Sequence, residues 1–314
     1  MGKRPKINRP LNLKPDPADK RDFPLVKLQA AKPMDPAGLS LLSWKSQMTP
    51  VKDQGQKGSC VGFATAAMKE WQEQSEHLKE VAEGKKDHRQ GKVYDYSEQW
   101  IYHQAKKIDA WPGEEGTSIR DAMKVLNHLG CPPEAGWPYD DVLTGEPESW
   151  AHMVAQWAKI GSYYRVAGSD QLVQALNYGP VVIGVGVFRE FFYPGTEGII
   201  KMPADPGALY GGHAICVVGY DFTKRLFEFK NSWSEAWGNG GYGKLHFEYI
   251  DQYMWDAWVA IDMSVEKIEK GDIPEIEEFK AETPVLKSKR VAPTIRPKGP
   301  FAMRVGRRLI PIRK

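Results

Sequence analysis

At 314 residues the chain has room for one large domain or two lobes, and its 41% hydrophobic and 26% charged content is that of a globular protein with polar extensions. No stretch approaches the ~20 apolar residues that cross a bilayer, and the basic, proline-broken start, MGKRPKINRP, lacks the apolar core of a secretory signal; a membrane span and signal-dependent export are disfavoured, and a cytoplasmic location is expected. The net charge of +3 is a balance: residues 285–314 hold ten basic and no acidic side chains, residues 1–38 carry +5, and residues 39–284 stand at −12.

Residues 1–38, rich in Pro, Lys and Asp and without periodicity, read as an extended basic arm. A helix is expected over Cys60–Leu78, where Ala64, Ala67, Met68 and Trp71 recur at helical spacing behind a Gly58-Ser59 turn and cap. Further helices fit Ser97–Lys107 and Thr117–Leu129, the latter stopped by Gly130 with Pro132 beyond, and a short one fits Asp170–Asn177. Val181–Val187, His213–Tyr220, Leu226–Lys230 and Gly243–Phe247 are apolar or alternating runs divided by turn residues and read as strands. Helices first and strands later indicate an α+β protein of two lobes. Residues 39–262, which contain all eleven tryptophans, form the expected folded domain, its helical lobe spanning about 45–140 and its β lobe about 141–262. From 263 to 314 the pattern dissolves into a linker and a basic tail.

Three cysteines, Cys60, Cys131 and Cys216, are too few and too odd in number for a disulfide framework, and suggest a reducing compartment. Cys60 differs from the others in context. It opens a helix behind a glycine-rich turn, where the helix dipole and free backbone N–H groups favour a thiolate; a small buried thiol would fit the same position. Downstream come Gly212-His213-Ala214 and Asn231-Ser232-Trp233, each among glycines or aromatics. A Cys, a His and an Asn can form a nucleophile, a base and an orienting group. The remaining histidines show no metal-ligand spacing, and no phosphate-binding glycine loop or dinucleotide fingerprint is present, so neither a metal nor a cofactor is expected.

These segments resemble the papain-like cysteine peptidases. The likeness includes MTPVKDQG, the Cys60 segment, Tyr96-Ser-Glu-Gln99, Gly116-Thr-Ser-Ile119, Trp137-Pro-Tyr139, Gly-His-Ala and the Asn-Ser-Trp block with its trailing Trp-Gly and Gly-Tyr-Gly, in that order. The resemblance implies a two-lobe α+β fold, a helical left lobe and an antiparallel β-barrel-like right lobe with the active-site cleft between them. It implies a peptide or unfolded-protein substrate and assigns Cys60 as nucleophile, His213 as its acid–base partner, Asn231 as the group fixing the imidazole and Trp233 as the cover over that contact. The Gln54 amide and the Cys60 backbone N–H would form the oxyanion hole. Gly116, Thr117, Gly212 and Ala214 would line the substrate cleft, with Gly116 and Thr117 offering a backbone edge to an extended peptide and Ala214 leaving an open, apolar-preferring pocket.

Three departures accompany the likeness. Lys57 stands where the family commonly has a disulfide cysteine, and Val61 where an aromatic is usual. His213 follows Cys60 by 153 residues, against about 130–150 in the family, which places insertions at Glu76–Gly91 and Asp141–Ala158. No helical pro-region pattern precedes the core. Two other functions would use the same residues: an amidase or transpeptidase-like acyl transferase, and a papain-like binding or structural module without turnover. The tail reads as a solvated extension, with an acidic partner or nucleic acid as its alternative role.

Overall fold

The structure, a computed structural model, describes residues 9–27, 40–84 and 94–262. The chain divides into two units, Met1–Asp272 and Ile273–Lys314; the second unit, with the basic tail, lies outside the described residues.

Three helices build one lobe: α1 (Cys60–Ala82), α2 (Glu98–Ile108) and α3 (Ile119–His128). The first fourteen residues of α1 are buried, because this part runs between the sheet and the other two helices. The helix continues four residues past the expected Leu78, its charged last turns exposed. Serine hydroxyls cap the other two: Ser97 accepts from the Trp100 N–H at 3.0 Å, and Ser118 from the Asp121 N–H at 3.2 Å. Gly130 ends α3 with φ +74°, and a Cβ there would meet the Ala155 carbonyl at 1.9 Å, so only glycine fits the turn.

The sheet comprises β1 (Leu41–Ser43), β2 (Ile160–Arg165), β3 (Val181–Val187), β4 (Gly211–Asp221), β5 (Leu226–Lys230), β6 (Tyr242–His246) and β7 (Met254–Asp262). All pairings are antiparallel, in the order β2-β7-β3-β4-β5-β6, with β1 beside the far end of β4. Alternation along the strands serves two cores. Ala214, Cys216 and Val218 of β4, with Trp258 and Ala260 of β7, meet the helical lobe. Ile215 and Val217, with Ala257 and Val259, face an aromatic-rich layer that includes Phe191 and Trp233, as well as Leu172 of α5 (Gly168–Ala175) and Tyr249 of α7 (Phe247–Tyr253); α4 (Ala151–Ala155), ahead of α5, and α6 (Arg189–Phe192), after it, are short.

The helical lobe beside an antiparallel sheet is the expected papain-like α+β arrangement, but the β-barrel-like right lobe is a wrong expectation: the sheet is open. Its end strands, β2 and β6, do not pair with each other because irregular chain covers both outer edges. The Arg165 N–H of β2 donates to the carbonyl of Phe23 in the N-terminal arm at 2.8 Å, and on β6 the carbonyl of Lys244 accepts the N–H of Ile200 at 2.9 Å. Edges satisfied in this way need no closure.

A buried cation ties the sheet to α1. The Lys69 ammonium, fully enclosed, reaches Asp262 at the end of β7 (2.6 Å), Glu73 one turn along (2.8 Å) and the Lys159 carbonyl (3.1 Å). Removing one partner of a buried pair strands the other's charge, at a cost of about 3–5 kcal/mol. Lys69→Met is therefore expected to lower unfolding free energy by about that amount, read as a reduced urea midpoint.

Candidate active site

The loop before α1 is fastened to the Asn231 segment at several points. The Gln54 N–H donates to the Ser232 carbonyl at 2.9 Å, and the Ser232 hydroxyl donates to Gln54 Oε1 at 2.7 Å. Gln54 Nε2 donates one hydrogen to the Lys57 carbonyl at 3.1 Å; an amide nitrogen carries two, so one remains for another acceptor. Ser59 occupies the position ahead of α1, yet its hydroxyl bonds Tyr139 Oη at 2.6 Å and does not cap the helix. The first N–H groups of α1 are thereby left to act on the Cys60 sulfur, as does the Ala214 N–H from β4.

His213 sits on β4, fully buried, one residue from that N–H. Its Nε2 lies 2.8 Å from Asn231 Oδ1. The same oxygen accepts the Ser232 N–H at 2.9 Å, which identifies it as the carbonyl end of the amide. His213 Nε2 must then carry the hydrogen, leaving Nδ1 as the basic nitrogen. Nδ1 is buried with no partner among the described residues. Trp233 covers the ring at 4.6 Å between centroids, and Phe192 stacks on Trp233 at 5.5 Å and 8°. Cys60, His213, Asn231, Gln54 and Trp233 thus share one site, all five buried.

The cleft residues also converge, around an occupant that composition did not indicate. The arm runs through it. Arg9 pairs with Asp53 and points its Nη2 at the Trp233 carbonyl, 3.4 Å away. The Leu13 N–H donates to the Gly212 carbonyl and the Lys14 N–H to the Thr117 carbonyl, both at 3.1 Å. Asn12 lies over Gly116, where φ is +82° and a Cβ would stand 1.6 Å from the Asn12 carbonyl oxygen. Gly116 is therefore a point of closest approach; its own N–H goes to Tyr102 and its carbonyl accepts from Lys106, so the available backbone acceptor is Thr117. Leu13, only 4% exposed, packs over Gly184 beside Ile119, and Gly184 is the register partner of Ala214. Asp16 then accepts from the Arg120 N–H and from Trp258 Nε1. The arm carries no motif for these roles, although Leu11 and Leu13 are the large apolar residues before Phe23 among those described.

Enclosure governs the ionisation of the pair. Burial pushes the Cys60 thiol up to about 11, against the pull of the Ala214 and Val61 N–H groups. Burial also lowers the His213 imidazole to about 4, opposed by Asn231 and aided by the Arg9 charge. With the arm in place both groups are neutral, because burial disfavours the charged form of each. The sign of the pH effect follows. An open site takes up a proton on His213 below its ordinary 6.5 that the closed one refuses until about 4, and releases one from Cys60 above 9.0 that the closed one keeps until about 11. Arm closure is thus strongest between pH 6.5 and 9 and weakens on either side. In that window, iodoacetamide should alkylate Cys60 of the full chain more slowly than a small thiol of ordinary pKa; mass spectrometry of quenched samples reads both rates.

The model of the papain family cysteine proteases matches residues 40–256. A peptidase C1-like protein of Acanthamoeba polyphaga mimivirus is 28% identical over 228 residues, 68% of this chain and 70% of its own. Cysteine proteinase 3 of Entamoeba histolytica is 30% identical over 206 residues, 64% of this chain and 60% of its own. Among solved structures, xylellain, a cysteine protease from Xylella fastidiosa, superposes with a TM-score of 0.65 at 30% identity, covering 81% of this chain and 97% of that one. Digestive procathepsin L 3 from Tenebrio molitor larval midgut, at 23% identity and a TM-score of 0.57, shares the fold over 76% of this chain and 73% of its own. On its thiol and imidazole, its fold and these relatives, the chain belongs to the papain family of cysteine proteases.

Proposed function

We propose that this cysteine peptidase hydrolyses peptide bonds through an acyl-enzyme formed on Cys60. His213 Nδ1 takes the thiol proton; the thiolate attacks the carbonyl carbon; the same proton passes to the leaving amine. His213 then accepts a proton from the water that releases the acyl group. Asn231 holds the imidazole through Nε2, and Trp233 keeps water from that bond. The second Nε2 hydrogen of Gln54 and the Cys60 N–H receive the oxyanion, where one donor is commonly worth ~2.7–4 kcal/mol. The His213–Asn231 bond carries this reading, because it leaves Nδ1 basic and unpaired in the site that holds the thiol. A peptidyl epoxide should add once per chain, at Cys60, in reducing buffer. Labelling elsewhere, together with no cleavage of any unfolded protein, would refute the assignment.

For substrates, the carbonyls of Thr117 and Gly212 serve as backbone acceptors, Gly116 as the close wall, and the Gly184–Ala214 pocket takes an apolar side chain, as it takes Leu13. A peptide-library profile with a strict acidic requirement at that pocket would contradict this. An acidic partner or nucleic acid for residues 285–314 rests on composition alone. Equal retention on a polyanion column by the full chain and by one ending at 284, at low and moderate salt, would end that idea.

A further inference from the structure

One buried cation close to the site has no part in the chemistry above. Lys57 is 9% exposed and sits three residues ahead of Cys60, between two loops that both reach the oxyanion region. Its ammonium donates to Gln99 Oε1 of α2 at 3.1 Å and to the Asp140 carbonyl, and lies 5.4 Å from the centre of the Tyr139 ring. Its carbonyl, at the other end of the residue, accepts from Gln54 Nε2 at 3.1 Å and from the Ser59 N–H at 2.8 Å. The loop it grips, 139–144, returns to the same place: Tyr139 Oη donates to the Gln54 carbonyl at 2.6 Å, and Asp141 accepts from the Gln56 N–H at 2.9 Å. Gln99 in turn holds the Thr144 carbonyl at 2.7 Å.

We propose that Lys57 is a positioning residue for the oxyanion hole, its ammonium clamping the Gln54–Cys60 loop to the 139–144 loop so that its own carbonyl can aim the Gln54 amide. The inference rests on the acyl-enzyme reading above. Gln54 Nε2 spends one hydrogen on the Lys57 carbonyl, so the direction of its second hydrogen depends on where that carbonyl is held. An ammonium enclosed by two oxygen acceptors and an aromatic face fixes the residue more firmly than a neutral side chain would. A displacement of a fraction of an ångström at an oxyanion donor is felt in the transition state and much less in substrate binding.

The experiment compares the full chain with Lys57→Met, which keeps the length and loses the charge, and Lys57→Arg, which keeps a cation. For each protein it reads kcat and KM on a peptide substrate, the affinity of a peptide aldehyde, and the iodoacetamide rate at Cys60. The aldehyde forms a hemithioacetal whose oxygen uses the oxyanion hole; alkylation by iodoacetamide does not. Lys57→Met should lower kcat and aldehyde affinity together by about 10-fold or more, short of the ~10²–10³-fold cost of removing an oxyanion donor outright, with KM and alkylation within about 2-fold of the parent. Lys57→Arg should recover most of the loss. Unchanged kcat and aldehyde affinity, or a parallel fall in alkylation, would overturn the proposal. Failure of the acyl-enzyme reading itself would look different: no aldehyde binding and no selective Cys60 alkylation in the parent chain.

Discussion

Cys60→Ala should reduce kcat/KM for peptide hydrolysis to the background of the assay, a loss on the order of 10⁶-fold when a nucleophile is removed, while the folded state persists. Position 60 is fully enclosed within the helical core, and alanine deletes one sulfur from it. His213→Ala should cost nearly as much, and the double variant little more than either alone, because the two side chains act as a unit and neither can be lost twice. Progress curves with a fluorogenic peptide, beside a thermal melt of each variant, read both quantities. Additive losses would mean that the two groups work independently, and the proposed proton transfer would fall.

Leu13→Asp should have the opposite effect. Burying a leucine side chain is worth about 1.5–3 kcal/mol, and the carboxylate that replaces it would lie against Gly184 and Ile119 without a counter-charge. Losing that contribution shifts the closed-to-open balance by roughly 10- to 100-fold towards the open cleft. kcat/KM is expected to rise by that factor near pH 7.5, inside the window where the neutral thiol–imidazole pair most favours closure. The gain should shrink as pH falls below 6.5, since protonation of His213 already opens the parent. Equal rates for the parent and Leu13→Asp at pH 7.5 would show that the arm does not limit access.

The chemistry was far more legible in the sequence than the state in which the molecule holds it. Cys60, His213 and Asn231 stand in glycine- and aromatic-flanked segments, and chain order alone allows them to be read as one set. Strands β3 and β5 are plain because each is a short, largely apolar run bounded by turn residues. Strand β7 is not: Met254–Asp262 mixes Trp, Asp and Ala directly after a helix, and it becomes a strand by pairing with β2 and β3. That the sheet is open and not barrel-like is not legible in the sequence, because closure depends on what lies along the outer edges of β2 and β6, and no local pattern records that Phe23 meets Arg165. The arm in the cleft was invisible for the same reason. Leu13 and Lys14 reach Gly212 and Thr117 through backbone hydrogen bonds, which place no demand on residue type. In the sequence Lys57 reads only as a departure from the family's cysteine, because the contacts of its ammonium lie on residues 99 and 140.

The segment that runs through the cleft goes on to shield the outer rim of β2 at Arg165 through Phe23 and Pro24. Trimming the chain to unblock the cleft is therefore not one operation but two, depending on the cut. A product starting between residues 17 and 22 retains that shield. One starting after Pro24 bares the Arg165 N–H on an edge that another molecule's strand can join. A peptidase preparation made by the longer cut would be expected to dimerise or precipitate as it gains activity, and the shorter one to remain dispersed.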